Sequence, residues 1–122
     1  MQQDLVEKWA AQNGVAISDA QFERLALHQD MVLEKNKYMN LTAITDPSEF
    51  AAKHIIDSLT LLPYIPQTQV TTLADIGTGA GYPGMVLAIM RGDLQVTLVD
   101  ALRKRIVFLF CLFFLHFSGP FR

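Results

Sequence analysis

The sequence has little of several features that mark particular classes of protein. It contains a single cysteine, Cys111, which excludes an internal disulfide and fits a reducing compartment. The formal net charge is only -2, so the composition shows no overall electrostatic footprint of a nucleic-acid-binding protein, although a local basic patch would suffice. The first residues are acidic and polar, and they lack the basic start and apolar core of a secretion signal.

Long hydrophobic runs are also scarce. The longest, residues 106–115, is about half of the ~20 residues that a transmembrane helix requires. No group of histidines, cysteines and carboxylates has the spacing of a metal site. These features predict a cytoplasmic protein with no membrane partner and no metal, and we expect the thiol of Cys111 to be buried within the apolar run.

The sequence does contain three helical segments within its first 65 residues. The second is predicted to begin at Ser18, with Gln21 completing a capping box, and the third at Asp46, followed by Pro47 in the first helical position. The third would run through His54 and end before residue 63. The second would bury a stripe formed by Phe22, Leu25, Ala26, Val32 and Leu33.

After residue 67 the pattern changes to that of a βαβ unit. Residues 70–76 are rich in β-branched side chains and predict a buried strand, residues 84–90 an apolar helix, and residues 95–100 a second strand. A strand, a glycine loop, a helix and a second strand imply parallel pairing with a right-handed crossover. The predicted fold class is therefore α/β.

Glycines follow the first predicted strand at a spacing that suits a bound nucleotide. They are Gly77, Gly79, Gly81 and Gly84, and the missing side chains let backbone N–H groups approach a ligand closely. Asp100 ends the next strand, where a carboxylate can accept hydrogen bonds from both ribose hydroxyls of an adenosine ligand. Both features fall on the same edge of the predicted sheet.

The glycine loop by itself does not decide which nucleotide is bound. Residues 79–84 form a literal G-x-G-x-x-G, which also fits an NAD or FAD site. S-adenosylmethionine is favoured by Asp75, which can hold the ammonium of that cofactor directly or through water. An acid at this position is unhelpful to a pyrophosphate. Pro83 shapes the turn into the helix, and a glycine turn without any ligand is the third interpretation.

A second candidate site lies on the third helix. His54, Asp57 and Ser58 share one helical face and can converge on a site, or they can form a partly buried His–Asp pair with Ser58 exposed. Residues 40–42 either contribute to the site or simply turn the chain. The basic run at residues 103–105 either contacts RNA phosphates or forms a solvated surface.

Together these motifs resemble the glucose-inhibited division protein B family, also called ribosomal RNA small-subunit methyltransferase G. The resemblance runs from about residue 20 to residue 109. It is carried, in order, by Asn40-Leu-Thr42, Asp46-Pro47, His54-x-x-Asp57-Ser58, Asp75-x-Gly-Thr-Gly-x-Gly-x-Pro-Gly84, Asp100 and Lys104-Arg105.

The resemblance implies a cytoplasmic bacterial enzyme with a Rossmann-like fold. It implies transfer of a methyl group from S-adenosylmethionine to N7 of a guanine in 16S ribosomal RNA, with the small ribosomal subunit as partner. Six residues would bind the cofactor or line its pocket: Asp75, Gly77, Gly79, Gly81, Tyr82 and Asp100. His54, Asp57 and Ser58 match positions near the active cleft and are candidates for catalysis without an assigned role.

After Leu109 the resemblance stops. We therefore expect an N-terminal helical region at residues 1–66, the start of a Rossmann-like methyltransferase domain at residues 67–109 with the second half of the sheet missing, and an aberrant apolar tail at residues 110–122. Such a change suggests a frameshift or a truncated reading frame. The alternative function is a truncated non-catalytic fragment with weak or no cofactor binding, and the exposed edge along residues 70–76 predicts poor solubility.

Overall fold

A computed structural model describes residues 2–67, 69 and 71–116, with side chains described as far as residue 111. The chain has the predicted α/β architecture, in which helices come first and a two-stranded sheet follows. In chain order the elements are α1 (Gln3–Gln12), α2 (Asp19–Asn36), α3 (Pro47–Phe50), a π-helix (Ala51–Ile56), α4 (Asp57–Leu59), a 3-10 turn (Leu62–Tyr64), β1 (Thr72–Ile76), α5 (Gly84–Met90), β2 (Gln95–Val99) and α6 (Arg103–His116).

The helix starts follow the local signals in the sequence. The Ser18 hydroxyl accepts a hydrogen bond from the backbone N–H of Gln21 at 3.2 Å, and the Gln21 side chain accepts one from the backbone N–H of Ser18 at 2.8 Å. The Asp46 carboxylate accepts from the N–H of Glu49 at 3.0 Å, and Pro47 is the first residue of α3. Both predicted N-terminal caps are confirmed, because they depend only on neighbouring residues.

The buried face of α2 differs from the predicted apolar stripe. Three of its five predicted positions are buried, whereas Ala26 and Leu33 are partly exposed. The helix instead buries two polar side chains, His28 and Gln29. The polar side chain of His28 is accommodated because it meets a hydrogen-bonding partner far away in the sequence, the carbonyl oxygen of Ala80.

The predicted third helix is continuous but not regular. Between α3 and α4 the chain forms a π-helix, Ala51–Ile56, which contains His54. This wider turn changes how the side chains on this segment line up along its face. Because π-helical turns occur frequently at functional sites, the irregularity draws attention to the segment that carries the second candidate site.

The two strands pair in parallel, as predicted, with Thr72 opposite Gln95 and Ile76 opposite Val99. α5 packs on one face of this sheet. The other face is formed by side chains that are all exposed: Thr72, Ala74, Ile76, Gln95, Thr97 and Val99. The prediction of a buried β1 is therefore wrong for this face, since a parallel strand is buried only where helices cover both sides.

One hydrophobic core joins the helices to the βαβ unit. It includes Phe50 and Ile55 from the helical segments, Met85 from α5, and Phe108 and Leu109 from α6. The core therefore draws on both sides of the predicted boundary at residue 66, and the three-part division of the chain stays a prediction.

The last helix crosses the predicted start of the aberrant tail. α6 spans Arg103–His116, and residues 117–122 of the tail lie outside the described residues. Cys111 is exposed, so the expectation of a buried thiol is wrong. Among the helices that the structure describes, none combines the length and apolar character needed to cross a membrane.

Candidate functional site

The glycine loop connects β1 to α5 in a conformation that requires glycine. Gly77, Gly79 and Gly81 have φ angles of 74°, 58° and 105°, a region that other residues adopt with strain. A side-chain carbon at Gly77 or Gly79 would meet no atom within 4 Å, whereas one at Gly81 would lie 2.8 Å from Cγ of Met85. The first two glycines therefore border open space where a ligand can approach, and the third packs against the core.

Asp75 stabilises the glycine loop through hydrogen bonds. Its side chain is buried, and its Oδ2 accepts hydrogen bonds from the Thr78 hydroxyl at 2.6 Å and from the backbone N–H of Gly84 at 2.9 Å. One carboxylate oxygen thus links the end of β1, the middle of the loop and the start of α5. Because the Gly84 N–H already has a partner, the start of α5 is poorly suited to bind a pyrophosphate.

Asp100 holds the loop from the end of β2. Its Oδ2 accepts from the backbone N–H of Gly79 at 2.8 Å, and its Oδ1 accepts from that of Leu102 at 3.0 Å. The Arg105 guanidinium lies 3.5 Å from Oδ1. The bonds from Leu102 and Gly79 lower the pKa of the carboxyl group, so Asp100 is charged at neutral pH. Its remaining lone pairs can accept hydrogen bonds from a ligand.

Tyr82 joins the loop to the helices through aromatic stacking. Its ring lies between two imidazoles, with centroids 4.9 Å from that of His28 and 4.6 Å from that of His54, and with interplanar angles of 18° and 8°. Phe50 packs edge-on against Tyr82 at 5.7 Å. His28 also lies within hydrogen-bonding distance, 2.9 Å, of the Ala80 carbonyl oxygen. This three-ring stack places the loop against α2 and the π-helix.

The Tyr82 hydroxyl is buried and makes no hydrogen bond within the described part of the chain. Burial raises its pKa well above the ordinary value, so the phenol is neutral. A buried polar atom without a partner is uncommon in a native fold.

His54 is fixed in orientation on its other side. Its Nε2 lies 2.8 Å from the Thr42 hydroxyl, which also accepts a hydrogen bond from the backbone N–H of Ile44 at 3.0 Å. Burial lowers the pKa of His54, and the nearby charge of Asp57 opposes that shift only in part. The imidazole is therefore neutral at pH 7. Because Thr42 contacts His54, residues 40–42 contribute to the site rather than only turning the chain.

The three candidate residues on this segment meet at one cavity. His54, Asp57 and Ser58 line a cavity of about 350 Å³ whose opposite wall includes Thr78 and Gly79 of the glycine loop. Ser58 is buried and donates a hydrogen bond to the backbone carbonyl of His54, not to its ring. The exposed serine of the alternative interpretation is therefore wrong, whereas His54 is partly buried beside the charge of Asp57, as that interpretation also expected.

The predicted cofactor residues divide between this cavity and the loop that forms its wall. Gly79 and Tyr82 line the cavity, whereas Asp75 and Asp100 hold the loop through hydrogen bonds. Two members of the site carried no signal that the sequence analysis used: the buried His28, and the lysine at the cavity rim, Lys53. His28 falls one helical turn after the buried Leu25, which is the pattern that would have revealed it.

The basic run at residues 103–105 is split between two environments. Arg105 donates a hydrogen bond to the Asn40 carbonyl at 3.0 Å and pairs with Asp100, so it helps to connect α6 to the site. Arg103 and Lys104 instead line a largely apolar groove of about 960 Å³ between α2 and α6. Within the part of the chain that the structure describes, no three His, Cys, Asp or Glu residues are grouped to hold a metal ion.

Comparison with known proteins identifies the family. The sequence profile described as rRNA small subunit methyltransferase G matches residues 21–113. Proteins named ribosomal RNA small subunit methyltransferase G are similar to this chain. The one from Pelotomaculum thermopropionicum is 41% identical over 106 residues, which are 87% of this chain and 44% of that protein. Those from Bacillus velezensis and Bacillus subtilis are 46% and 43% identical over 99 residues, covering 81% of this chain and 41% of each relative.

The chain thus spans less than half the length of these curated relatives. The matched segment includes the helices that carry His54, the complete glycine loop and Asp100. It agrees closely with the extent of the resemblance found from the motifs alone. The chain belongs to the rRNA small subunit methyltransferase G family.

Proposed function

We propose that this protein serves in the S-adenosylmethionine-dependent methylation of N7 of a guanine in 16S ribosomal RNA, in the cytoplasm. The observation that carries the proposal is the glycine loop, in which Gly77 and Gly79 border open space while two carboxylates, from Asp75 and Asp100, fix its shape. The family to which the chain belongs and the names of its relatives support the coarser part of the proposal, methylation of ribosomal RNA of the small subunit.

The residues present fit a bound adenosine cofactor. The open space beside Gly77 and Gly79 lets a ligand approach the loop backbone, and Asp100 is charged and retains acceptor capacity for ribose hydroxyls. Tyr82 and Gly81 remain predicted members of the same pocket. The hydrogen bond from Gly84 to Asp75 favours this cofactor over a dinucleotide, because it occupies an N–H that a pyrophosphate would need.

Methyl transfer to N7 depends on the positions of the methyl group and the guanine more than on acid–base chemistry. The bound cofactor supplies an electrophilic methyl group on a sulfonium centre. Guanine N7 already carries a lone pair, so the chain contributes by holding its ligands in line. The three-ring stack and the Thr42–His54 contact suit this task, since they fix the cavity wall opposite the loop. His54 and Tyr82 are both neutral at pH 7, so neither repels the positive charge that develops on the guanine.

A second candidate function is a non-catalytic fragment with weak or no cofactor binding. The chain spans less than half the length of its relatives, which is consistent with this second candidate. Both candidates share the family and the fold. They differ in whether the loop binds a ligand in this chain.

Calorimetric titration with S-adenosylhomocysteine distinguishes the two candidates. We expect saturable binding that Asp100→Ala weakens by at least about tenfold, because the carboxylate both holds Gly79 and accepts hydrogen bonds from the ligand. Asp4→Ala, which removes an exposed acid in α1, is the matched control and should bind like the parent chain. Absence of binding at millimolar ligand would support the fragment, and tight binding of NADH would contradict the choice of cofactor.

A further inference from the structure

We infer that the cavity of about 350 Å³ between the π-helix and the glycine loop receives the target guanine, and that Asp57 and Lys53 recognise its Watson–Crick edge. The inference rests on the proposed function and adds a substrate site to it. It assigns a specificity role to two side chains that lie outside the glycine loop.

The size and position of the cavity suit a single base. Small-molecule sites measure about 300–1,000 Å³, so this cavity lies at the small end of that range. One wall is formed by Thr78 and Gly79, which belong to the loop proposed to hold the methyl donor. A base in the cavity would therefore lie next to the cofactor, which transfer of a methyl group between them requires.

The charges at the cavity match the hydrogen-bonding pattern of guanine. Lys53 and Asp57 both line the cavity and lie four residues apart on the same helical segment. Guanine presents two adjacent donors, N1–H and N2–H, beside the acceptor O6. A carboxylate can accept from both donors, and an ammonium can donate to O6. Adenine presents N1 as an acceptor, so its lone pair would face the Asp57 carboxylate without a proton between them.

Both side chains are available for such contacts. Lys53 lies 3.7 Å from the Glu49 carboxylate, in a surface ion pair whose side chains are 61% and 57% exposed. Such exposed pairs are weak and are easily exchanged for another partner. Asp57 is likewise exposed, while its helical neighbour Ser58 is buried. The two charged side chains therefore lie at the open rim of the cavity, and the buried Ser58 forms part of its inner wall.

The rest of the wall suits a base that becomes positively charged. Methylation at N7 leaves a cation on the guanine, and the carboxylate of Asp57 favours that charge. His54 is held by Thr42 and stacked on Tyr82, and burial keeps its imidazole neutral, so it does not repel the product. Because both faces of the Tyr82 ring are covered by imidazoles, the three-ring stack acts as a fixed wall of the cavity.

The amino-acid end of the cofactor is the competing occupant, because its ammonium and carboxylate would complement the same two side chains. The two occupants are separable experimentally, since only guanine binding discriminates between purines. We therefore propose titrating the full ¹⁵N-labelled chain with GMP, AMP and IMP, which share the ribose and phosphate and differ in the base. S-adenosylhomocysteine is titrated into the same samples.

The expected result is saturable GMP binding that shifts the amide resonances of residues 53–58 and 78–82. At residues 53–58, AMP should bind at least about tenfold more weakly, and IMP, which lacks the N2 amino group, should be intermediate. Binding of AMP at the adenosine site beside Asp100 is followed separately through the resonance of residue 100. Asp57→Asn should reduce GMP affinity to the level of AMP, and Lys53→Met should weaken GMP binding through the loss of the O6 contact. Asp4→Asn is the matched control and should leave GMP binding unchanged. Both variant positions are exposed, so the fold is retained.

Three results would overturn the inference: equal affinity for GMP and AMP at residues 53–58, GMP binding there that survives Asp57→Asn, or loss of S-adenosylhomocysteine binding in Asp57→Asn. The last would assign the cavity to the cofactor. Failure of the parent chain to bind S-adenosylhomocysteine at all would instead count against the proposed function. Selective GMP binding in that case would still support the guanine site.

Discussion

His54 carries the clearest pH dependence at the scale of single residues. Burial lowers its pKa in the folded chain below the ordinary value of 6.5. The unfolded chain therefore takes up a proton at a higher pH than the folded chain does. It follows that His54 contributes stability above about pH 6.5, and that this contribution is lost as the pH falls through the folded pKa.

We therefore expect His54→Gln to flatten the pH dependence of the free energy of unfolding. Gln can still hydrogen-bond to Thr42, but it does not titrate. Urea unfolding of the parent chain and the variant at a series of pH values from 8 down to about 5 would measure this. In the parent chain the free energy of unfolding should fall more steeply below about pH 6.5 than in the variant. Parallel curves for the two proteins would contradict the assignment, since the contributions of other groups are common to both.

Local elements of this chain were predictable because their signals are local. The caps at Ser18 and Asp46 involve partners only three residues away, and the chain forms both as the sequence indicates. The glycine loop and α5, Gly84–Met90, also begin where the pattern predicts them. The π-helix, Ala51–Ile56, has no comparable signature, since its wide turn accompanies packing of this segment against α1 and against the ring of Tyr82.

The candidate site was predictable only in part for the same reason. The sequence indicated that His54, Asp57 and Ser58 share a face, and the structure places all three at one cavity. It did not indicate Tyr82 stacked between His28 and His54, because these contacts join residues that are far apart along the chain. Hydrophobic periodicity reports which face of a helix is buried, but not which polar group finds a distant partner there.

At the scale of the element, the glycines at the two ends of α5 allow a matched pair of substitutions that tests how tightly this helix packs on the sheet. A side-chain carbon at Gly84 would lie 2.3 Å from Cδ2 of Leu98 and 2.9 Å from Oδ2 of Asp75. One at Gly92, just after the helix, would meet no atom within 4 Å. The two glycines thus differ in packing, and neither has a positive φ.

Gly84→Ala should lower the free energy of unfolding by about 1–3 kcal/mol, because the added methyl overpacks the contact between α5 and the sheet. Gly92→Ala should be neutral or stabilise the chain by up to about 1 kcal/mol, through reduced entropy of the unfolded state. Urea denaturation of both variants beside the parent chain measures the difference. Equal effects at the two positions would show that α5 can move away from β2 at little cost.

At the scale of the whole molecule, the sheet is covered on one side only. Parallel sheets are ordinarily packed on both faces, yet the face that carries Ile76 and Val99 is exposed, and Ile76 itself is 74% exposed. The backbone edges of a two-stranded sheet add to this, because unpaired strand edges accept further strands. The exposed apolar side chains of Ile76 and Val99 beside such an edge favour association between copies of the chain.

We therefore expect the chain to associate as its concentration rises, and Ile76→Thr to shift the population towards monomer. Threonine keeps the β-branched shape of isoleucine, so the strand is preserved while the apolar surface is reduced. Tyr64→Ser is the control: Tyr64 is 84% exposed but lies in the 3-10 turn and not on the exposed face of the sheet, so its loss should leave association unchanged. Sedimentation velocity across a concentration series measures the mass of each species. A parent chain that stays monomeric at every concentration would show that the exposed face does not drive contacts, whereas equal effects of the two substitutions would place the contact surface elsewhere.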